Sequence, residues 1–345
     1  MTISHTKTLY ANLKAFGLTR AQVRKLLPQW WSPEAEASPD GYAELCGLIS
    51  RRLSLDFGHL LKGNVVLKSN AIGLAYKHSA AATPQSLQGA TSIAISLAEA
   101  VNAAMGDRLA ELPGSAKQLA RRIREANNDI VSLEGLIRIC WGSGIPVVPM
   151  PNLPVGVRKM DGAVISTAQR PVIIISKKRS SRAWLAFILA HELGHIGCGH
   201  LLKSGSIIDV SLKEQTTFEA ESSTDKQERE ADRYALDLLG GEAADNVVAG
   251  WPSWISPVEI AVRAREVHRD IHVETGHLIL RYAFQSKRWS ECTTAMNFLS
   301  EDTNAEALML SAIAEHLDLD LIADDLKDLV LQVTGMLEST STSRL

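Results

Sequence analysis

The chain has 345 residues, of which 46% are hydrophobic, and this is enough material for two or three domains with a substantial core. No run approaches the roughly 18 apolar residues of a membrane-spanning helix, and Met1–Lys14 lacks the basic and apolar blocks of a signal peptide, so we expect a cytoplasmic protein. Four scattered cysteines exclude a disulfide framework and a Cys-x-x-Cys metal site.

The amino-terminal part of the chain is mildly basic and is predicted to be helical. Residues 1–125 contain 15 Lys and Arg against 9 Asp and Glu, whereas the remainder contains 21 against 30. Turn residues separate the predicted helices, which cover 6–16, 19–31, 38–52 and 53–63. The second of them carries a basic face formed by Arg20, Arg24 and Lys25. A helix-turn-helix-like DNA-binding domain would suit these features, but no recognition helix rich in Gln, Asn and Arg is present, which favours a docking or dimerisation domain.

Two longer amphipathic helices are predicted next, over 83–104 and 115–140, with a domain boundary in the turn-rich segment between them. Short β-strands follow at 147–150, 163–167 and 172–176 and predict a small sheet. The edge of such a sheet can hold an extended peptide substrate by main-chain pairing. We assign that edge to Ile173, Ile174 and Ile175, and a buried central strand is the alternative for so apolar a run.

The next segment contains the most informative pattern, His191-Glu192-Leu193-Gly194-His195. At about 3.6 residues per turn both histidines lie on one helix face, roughly 6 Å apart along the axis, and can reach one metal ion. Glu192 lies about 100° round the helix, where a carboxylate can take a proton from water beside the ion. Because the preceding residues are apolar on all sides, the alternative of buried histidines without a metal is costly. The pattern therefore predicts a catalytic zinc site with Glu192 as general base.

A catalytic zinc has three protein ligands and one open position, so a third ligand is expected downstream. Residues 228–239 form a predicted helix on which Glu228 and Asp232 fall on the apolar side, together with small alanines. Acids on that side are costly unless one binds a cation and the other accepts a hydrogen bond. We assign Glu228 as the third ligand and Asp232 as the acceptor that orients a ligand histidine. Glu230 falls on the opposite side and is expected to be solvated.

The regions around these two helices carry weaker signals. Residues 203–226 are polar and are predicted to be a lid, a binding loop or a disordered segment. Cys198 is expected to lie outside the site because Gly197 and Gly199 end the zinc helix. Beyond Gly241 the chain is predicted to be helical, over 257–268, 275–284 and within 301–335. Three histidines of this part are expected to be surface residues and not a second metal site: His268, His272 and His277.

These residues resemble the ImmA/IrrE family of bacterial zinc metallopeptidases. The family motif is HELGH followed by a helix of the form E-x-x-A-N/D-x-F-A-x-x-L-L, and here the second element begins at Glu228 with Tyr234 in place of the phenylalanine. The upstream segments 144–149, 161–162 and 171–176 are also similar, so that the resemblance covers roughly residues 130–245. It implies a gluzincin-type site of two histidines and one glutamate. It also implies a regulatory role, since family members typically cleave or inactivate a helix-turn-helix repressor encoded nearby.

The predicted protein is a predominantly helical α+β protein with a gluzincin-like core. We expect a helical amino-terminal domain at 1–112, a zinc-peptidase domain at 113–250, a helical region at 251–337 and a disordered tail at 338–345. Its predicted function is intracellular zinc-dependent endopeptidase, with a repressor or antitoxin-like protein as substrate and no membrane association. The alternative is a DNA-binding regulator in which the zinc fold is a sensing or docking module. The sequence does not select the residue that would stabilise the oxyanion.

Overall fold

The computed structural model describes residues 2–68, 74–76, 84–106, 114–126, 129–167, 169–176, 181–201, 206–209, 223–299 and 305–336. The predicted tail at 338–345 lies outside the described residues, as does most of the predicted loop at 203–226. Among the described residues, no helix is long and apolar enough to cross a membrane.

The amino-terminal helices match the prediction in number and differ in length. They are α1 (Thr2–Ala15), α2 (Arg20–Leu26), α3 (Pro39–Arg52) and α4 (Phe57–Leu61), with a 3-10 helix at Pro33–Ala37 before α3. Thr19 and Gln22 form a capping box that starts α2. This helix ends at Leu26, well short of the predicted end, because the residue before Pro28 is disfavoured in helical conformation.

The helical segment predicted at 115–140 is two helices, so that prediction was wrong. After α5 (Pro84–Ala104) come α6 (Ala116–Ala126) and α7 (Leu133–Gly142). Between them Asp129 takes a left-handed conformation with φ of 63°, and the Ser132 hydroxyl accepts a hydrogen bond from the Gly135 N–H group. A serine N-cap starts a new helix in this way, and the apolar periodicity continues across the break.

A five-stranded sheet lies beside the helix that carries His191 and His195. Its strands are β1 (Leu74–Tyr76), β2 (Val147–Pro149), β3 (Gly162–Ser166), β4 (Pro171–Ile175) and β5 (Ser206–Asp209), in the spatial order β1-β5-β3-β4-β2. Strand β3 is antiparallel to both of its neighbours, whereas β4 pairs in parallel with β2. Strand β5 comes from the segment that was predicted to be a loop or lid.

The assignment of Ile173, Ile174 and Ile175 to a substrate-binding edge was wrong. Strand β4 lies between β3 and β2, so its backbone groups already pair on both sides. All three side chains are buried, as expected for a central strand covered on both faces. No free edge for an extended peptide is present along this strand.

The helix that carries His191 and His195, α8 (Arg182–Gly197), is buried along most of its length. The Ser181 hydroxyl caps its first turn, and every residue from Ala183 to His195 is buried. Its neighbours are strands β3 and β4 and helices α7, α9 (Ser223–Leu239) and α12 (Thr275–Ser286). The carboxy-terminal helices are α10 (Gly241–Ala249), α11 (Pro257–Val267), α12 (Thr275–Ser286), α13 (Trp289–Met296), α14 (Ala305–His316) and α15 (Asp324–Thr334).

The described residues thus form a predominantly helical protein with a small sheet, which confirms the predicted α+β class. Helix α3 is joined to α15, the last of the described helices. Arg51 and Arg52 of α3 form ion pairs with Asp325 and Asp328 of α15. The predicted boundaries of the domains stay predictions.

Candidate metal centre

Helices α8 and α9 approach closely because small residues lie between them. A Cβ atom on Gly194 would lie 2.9 Å from Cα of Ala231, and one on Gly197 would lie 2.7 Å from the Tyr234 ring. Ala231 and Ala235 are fully buried on the facing side of α9. This close approach lets side chains of both helices reach a common point.

The three predicted ligands meet at that point. The Nε2 atoms of His191 and His195 are 3.0 Å apart, and the Glu228 carboxylate lies 3.3 Å from the first and 3.5 Å from the second. The potential ligand atoms of all three residues lie within 4.8 Å of one another, and the residues are buried. Among the described residues, no other group of three or more His, Cys, Asp or Glu side chains is close enough together to hold a metal ion.

The Asp232 carboxylate orients His191, as predicted. Its Oδ1 atom lies 2.9 Å from Nδ1 of His191. Because a carboxylate accepts hydrogen bonds, the proton of the neutral imidazole is on Nδ1, and the Nε2 lone pair points toward the group.

His200 contacts the second histidine, and this residue was not predicted from the sequence. Its Nδ1 atom lies 2.9 Å from Nδ1 of His195, and its Nε2 atom lies 3.0 Å from the Glu230 carboxylate. His200 is buried, with 1% of its surface exposed. Glu230 is exposed, as predicted, but one of its carboxylate oxygens contacts this buried ring, so it is not only a solvated acid.

The hydrogen-bond partners of His191 and His195 set proton positions that suit a metal cation. Since Glu230 accepts from Nε2 of His200, the neutral His200 ring has its lone pair on Nδ1. His195 must then donate from Nδ1, which leaves its Nε2 lone pair directed at His191. Two lone pairs and a carboxylate thus converge in a buried space. Such a set of acceptors is unfavourable unless a cation lies among them.

The pKa of His191 agrees with this picture. Burial lowers it, but hydrogen bonds and charge interactions with Asp232 and Glu228 raise it more, so that it lies well above its ordinary value. The surrounding carboxylates therefore favour a positive charge at this point, which a proton or a metal ion can supply.

Glu192 is buried beside the metal-binding group and outside it. Strand β3 passes directly over its carboxylate, so closely that a Cβ atom on Gly162 would lie 2.3 Å from Glu192 Oε1. The side chain is fully buried. The Glu192 carboxylate thus lies on the residue next to His191 of the candidate metal-binding group, with strand β3 close against it.

Other candidate residues lie away from the group. Cys198 is exposed beyond the end of α8, as predicted. His272 is exposed, but His277 is buried, with a pKa lowered to about 3 by burial and by Arg281, so the prediction of surface histidines was wrong for His277. His268, His272 and His277 belong to no metal-binding group among the residues described.

The predicted basic face of α2 is largely used within the protein. Arg20 and Arg24 both pair with Glu36, at 2.6 and 3.4 Å, and the Glu36 carboxylate is buried. Tyr10 donates to the same carboxylate at 2.8 Å. The two arginines therefore neutralise a buried acid.

Neither a protein-family model nor a curated protein sequence matches the chain. The resemblance of its motifs to the ImmA/IrrE family therefore stays a prediction.

Proposed function

We propose that the chain is a zinc-dependent metallo-endopeptidase with His191, His195 and Glu228 as ligands. The observation that carries the proposal is the convergence of two imidazole lone pairs and one carboxylate in a buried space, with a further buried carboxylate beside it. Two histidines and one glutamate are a donor set that zinc uses in catalytic sites, where the fourth position stays open. When bound, zinc would make a water more acidic and polarise the carbonyl of the bond to be cleaved.

Glu192 has the role of general base in this proposal. It lies one residue from a ligand on the same helix, and strand β3 limits the positions that its carboxylate can take. Its burial keeps the carboxylate close to the site and away from solvent. It takes a proton from the attacking water and passes it to the leaving amine.

The proposed substrate is a specific protein, such as a helix-turn-helix repressor or an antitoxin-like partner. This part of the proposal rests on the resemblance of the two helical motifs. The alternative, a DNA-binding regulator, gains no support from α2, because Arg20 and Arg24 are engaged by Glu36.

The test compares the unchanged protein with Glu192→Gln, using a repressor from the adjacent gene and the proteins that co-purify as substrates. We expect Glu192→Gln to keep one zinc per chain, because Glu192 is not a ligand, and to lower the cleavage rate by about 100- to 10,000-fold. Metal analysis and mass spectrometry of the products measure the two quantities.

The matched control is Glu125→Gln, which changes an exposed glutamate paired with Arg121 and should cleave at the unchanged rate. Equal cleavage by Glu192→Gln would contradict the role of this residue. A zinc-loaded chain that cleaves none of these proteins would count against the endopeptidase.

A further inference from the structure

The end of helix α8 places His200 beneath the ligand His195. Gly199 has a left-handed conformation with φ of 70°, the His200 N–H group donates to the His195 carbonyl, and the Gly199 N–H group donates to the Ile196 carbonyl, each at 3.0 Å. These two hydrogen bonds define a Schellman motif. In this motif the residue after the left-handed glycine commonly packs against the residue five positions earlier. Here both residues are histidines.

The contact between the two rings has a defined direction. The Glu230 carboxylate can only accept, so His200 donates to it from Nε2, and a neutral His200 ring then accepts at Nδ1 from Nδ1 of His195. The chain of hydrogen bonds runs from α8, through the turn that ends it, to α9. It therefore joins the two helices that carry the ligands, as the Asp232 contact with His191 also does.

We propose that His200 and Glu230 are positioning residues that fix the proton of His195 on Nδ1 and so keep its Nε2 lone pair available to the metal. This inference rests on the proposed metal centre. A ligand histidine whose other nitrogen donates to a fixed acceptor has a set tautomer and ring orientation, and loss of that acceptor typically lowers metal affinity about 10- to 100-fold. His191 has a carboxylate for this purpose, whereas His195 has a neutral ring supported by a carboxylate.

The test measures zinc affinity by competition with a chelator of known affinity, and it needs no substrate. We expect His200→Leu, which removes the acceptor, to weaken zinc binding about 10- to 100-fold. His200→Asn keeps an oxygen close to the position of Nδ1, and it should restore most of the affinity. This rescue separates an effect on the hydrogen bond from a general loss of packing.

Glu230→Ala tests the outer end of the chain of hydrogen bonds in a variant that is expected to fold, because the Glu230 side chain is 44% exposed. It should weaken zinc binding by less than His200→Leu does. Asp237→Ala is the matched control, since it removes another acid of α9 that pairs with an exposed cation, Arg233, and it should leave the affinity unchanged. The absorption spectrum of the Co²⁺-substituted protein should shift in His200→Leu and not in Asp237→Ala.

Zinc affinity equal to that of the unchanged protein in both His200→Leu and Glu230→Ala would overturn the inference. In the same titration, Glu228→Ala should lose zinc binding. If Glu228→Ala kept its zinc, or if the unchanged protein bound none, the proposed metal centre itself would be wrong, and the inference would fail with it. The two failures are therefore distinguishable.

Discussion

Gly162 is the residue of strand β3 that lies against the Glu192 carboxylate. A methyl group on this residue would lie 2.3 Å from Oε1, which is too close for any real contact, so the carboxylate would have to move. We expect Gly162→Ala to lower the rate of proposed cleavage about 100-fold, as displacement of a reacting group by about 1 Å can do, and to keep the zinc.

Gly142→Ala is the control for this change, because a Cβ atom there meets nothing within 4 Å. Cleavage rates and zinc content of both variants give the comparison. Loss of zinc in Gly162→Ala would show that the strand supports the ligands and not the carboxylate of Glu192.

The site residues that could be predicted from the sequence are those whose positions follow from the geometry of a single helix. The spacing of His191 and His195 is local, and Glu228 and Asp232 were identified because acids on an apolar helix face need a partner. His200 was missed because its role depends on the turn that follows α8. The signal was present in the sequence, since Gly199 marks the end of a helix and the residue after such a glycine folds back on the last turn.

At the scale of elements, the crossing of α8 and α9 sets the geometry of the proposed metal centre. A methyl group on Gly194 would lie 2.9 Å from both the Cα atom and the carbonyl oxygen of Ala231, and a backbone cannot move aside as a flexible side chain can. We expect Gly194→Ala to force the helices apart. The free energy of unfolding should fall, because overpacking costs about 1–3 kcal/mol and removal of a helical glycine gains only up to about 1 kcal/mol.

The same change should weaken zinc binding, because two ligands lie on α8 and one on α9. Denaturant unfolding and chelator competition measure the two effects. Gly142→Ala again serves as the control and should show neither. A Gly194→Ala protein of unchanged zinc affinity would mean that the close crossing is not needed to assemble the ligands.

Elements whose place depends on distant parts of the chain were predicted less well. The apolar run of β4 is compatible with an edge or a central strand, and only the order of the strands, which brings β3 and β2 to its two sides, decides between them. Apolar residues recur at the same helical spacing through α6 and α7, so the pattern does not show the break between the two helices at Asp129 and Ser132. Strand β5 lies in a polar segment and is recognised by its pairing with β3.

At the scale of the whole molecule, ion pairs join parts of the chain that are far apart in sequence. The Arg52 guanidinium is buried in the amino-terminal helices, where it donates to the Leu26 carbonyl, and its ion-pair partner is Asp328 of the last described helix. Burial lowers the pKa of Arg52, and Asp328 offsets part of this effect. The carboxy-terminal helix α15 thus stabilises a charge that lies among the amino-terminal helices.

Asp328→Ala should therefore destabilise both the amino-terminal helices, which contain Arg52, and helix α15. Removal of one partner from a fully buried ion pair lowers the free energy of unfolding by about 3–5 kcal/mol, because the other charge is left unpaired. The loss should be smaller here, about 1–3 kcal/mol, because the Asp328 side chain is 44% exposed. Asp320→Ala is the matched control, since that aspartate is 86% exposed and pairs with Lys327.

Denaturant unfolding measures the effect. It should give one transition, seen both by circular dichroism and by tryptophan fluorescence, and the midpoint should shift only in Asp328→Ala. Two separate transitions in the unchanged protein, with the amino-terminal one unaffected by Asp328→Ala, would show instead that the amino-terminal helices fold independently.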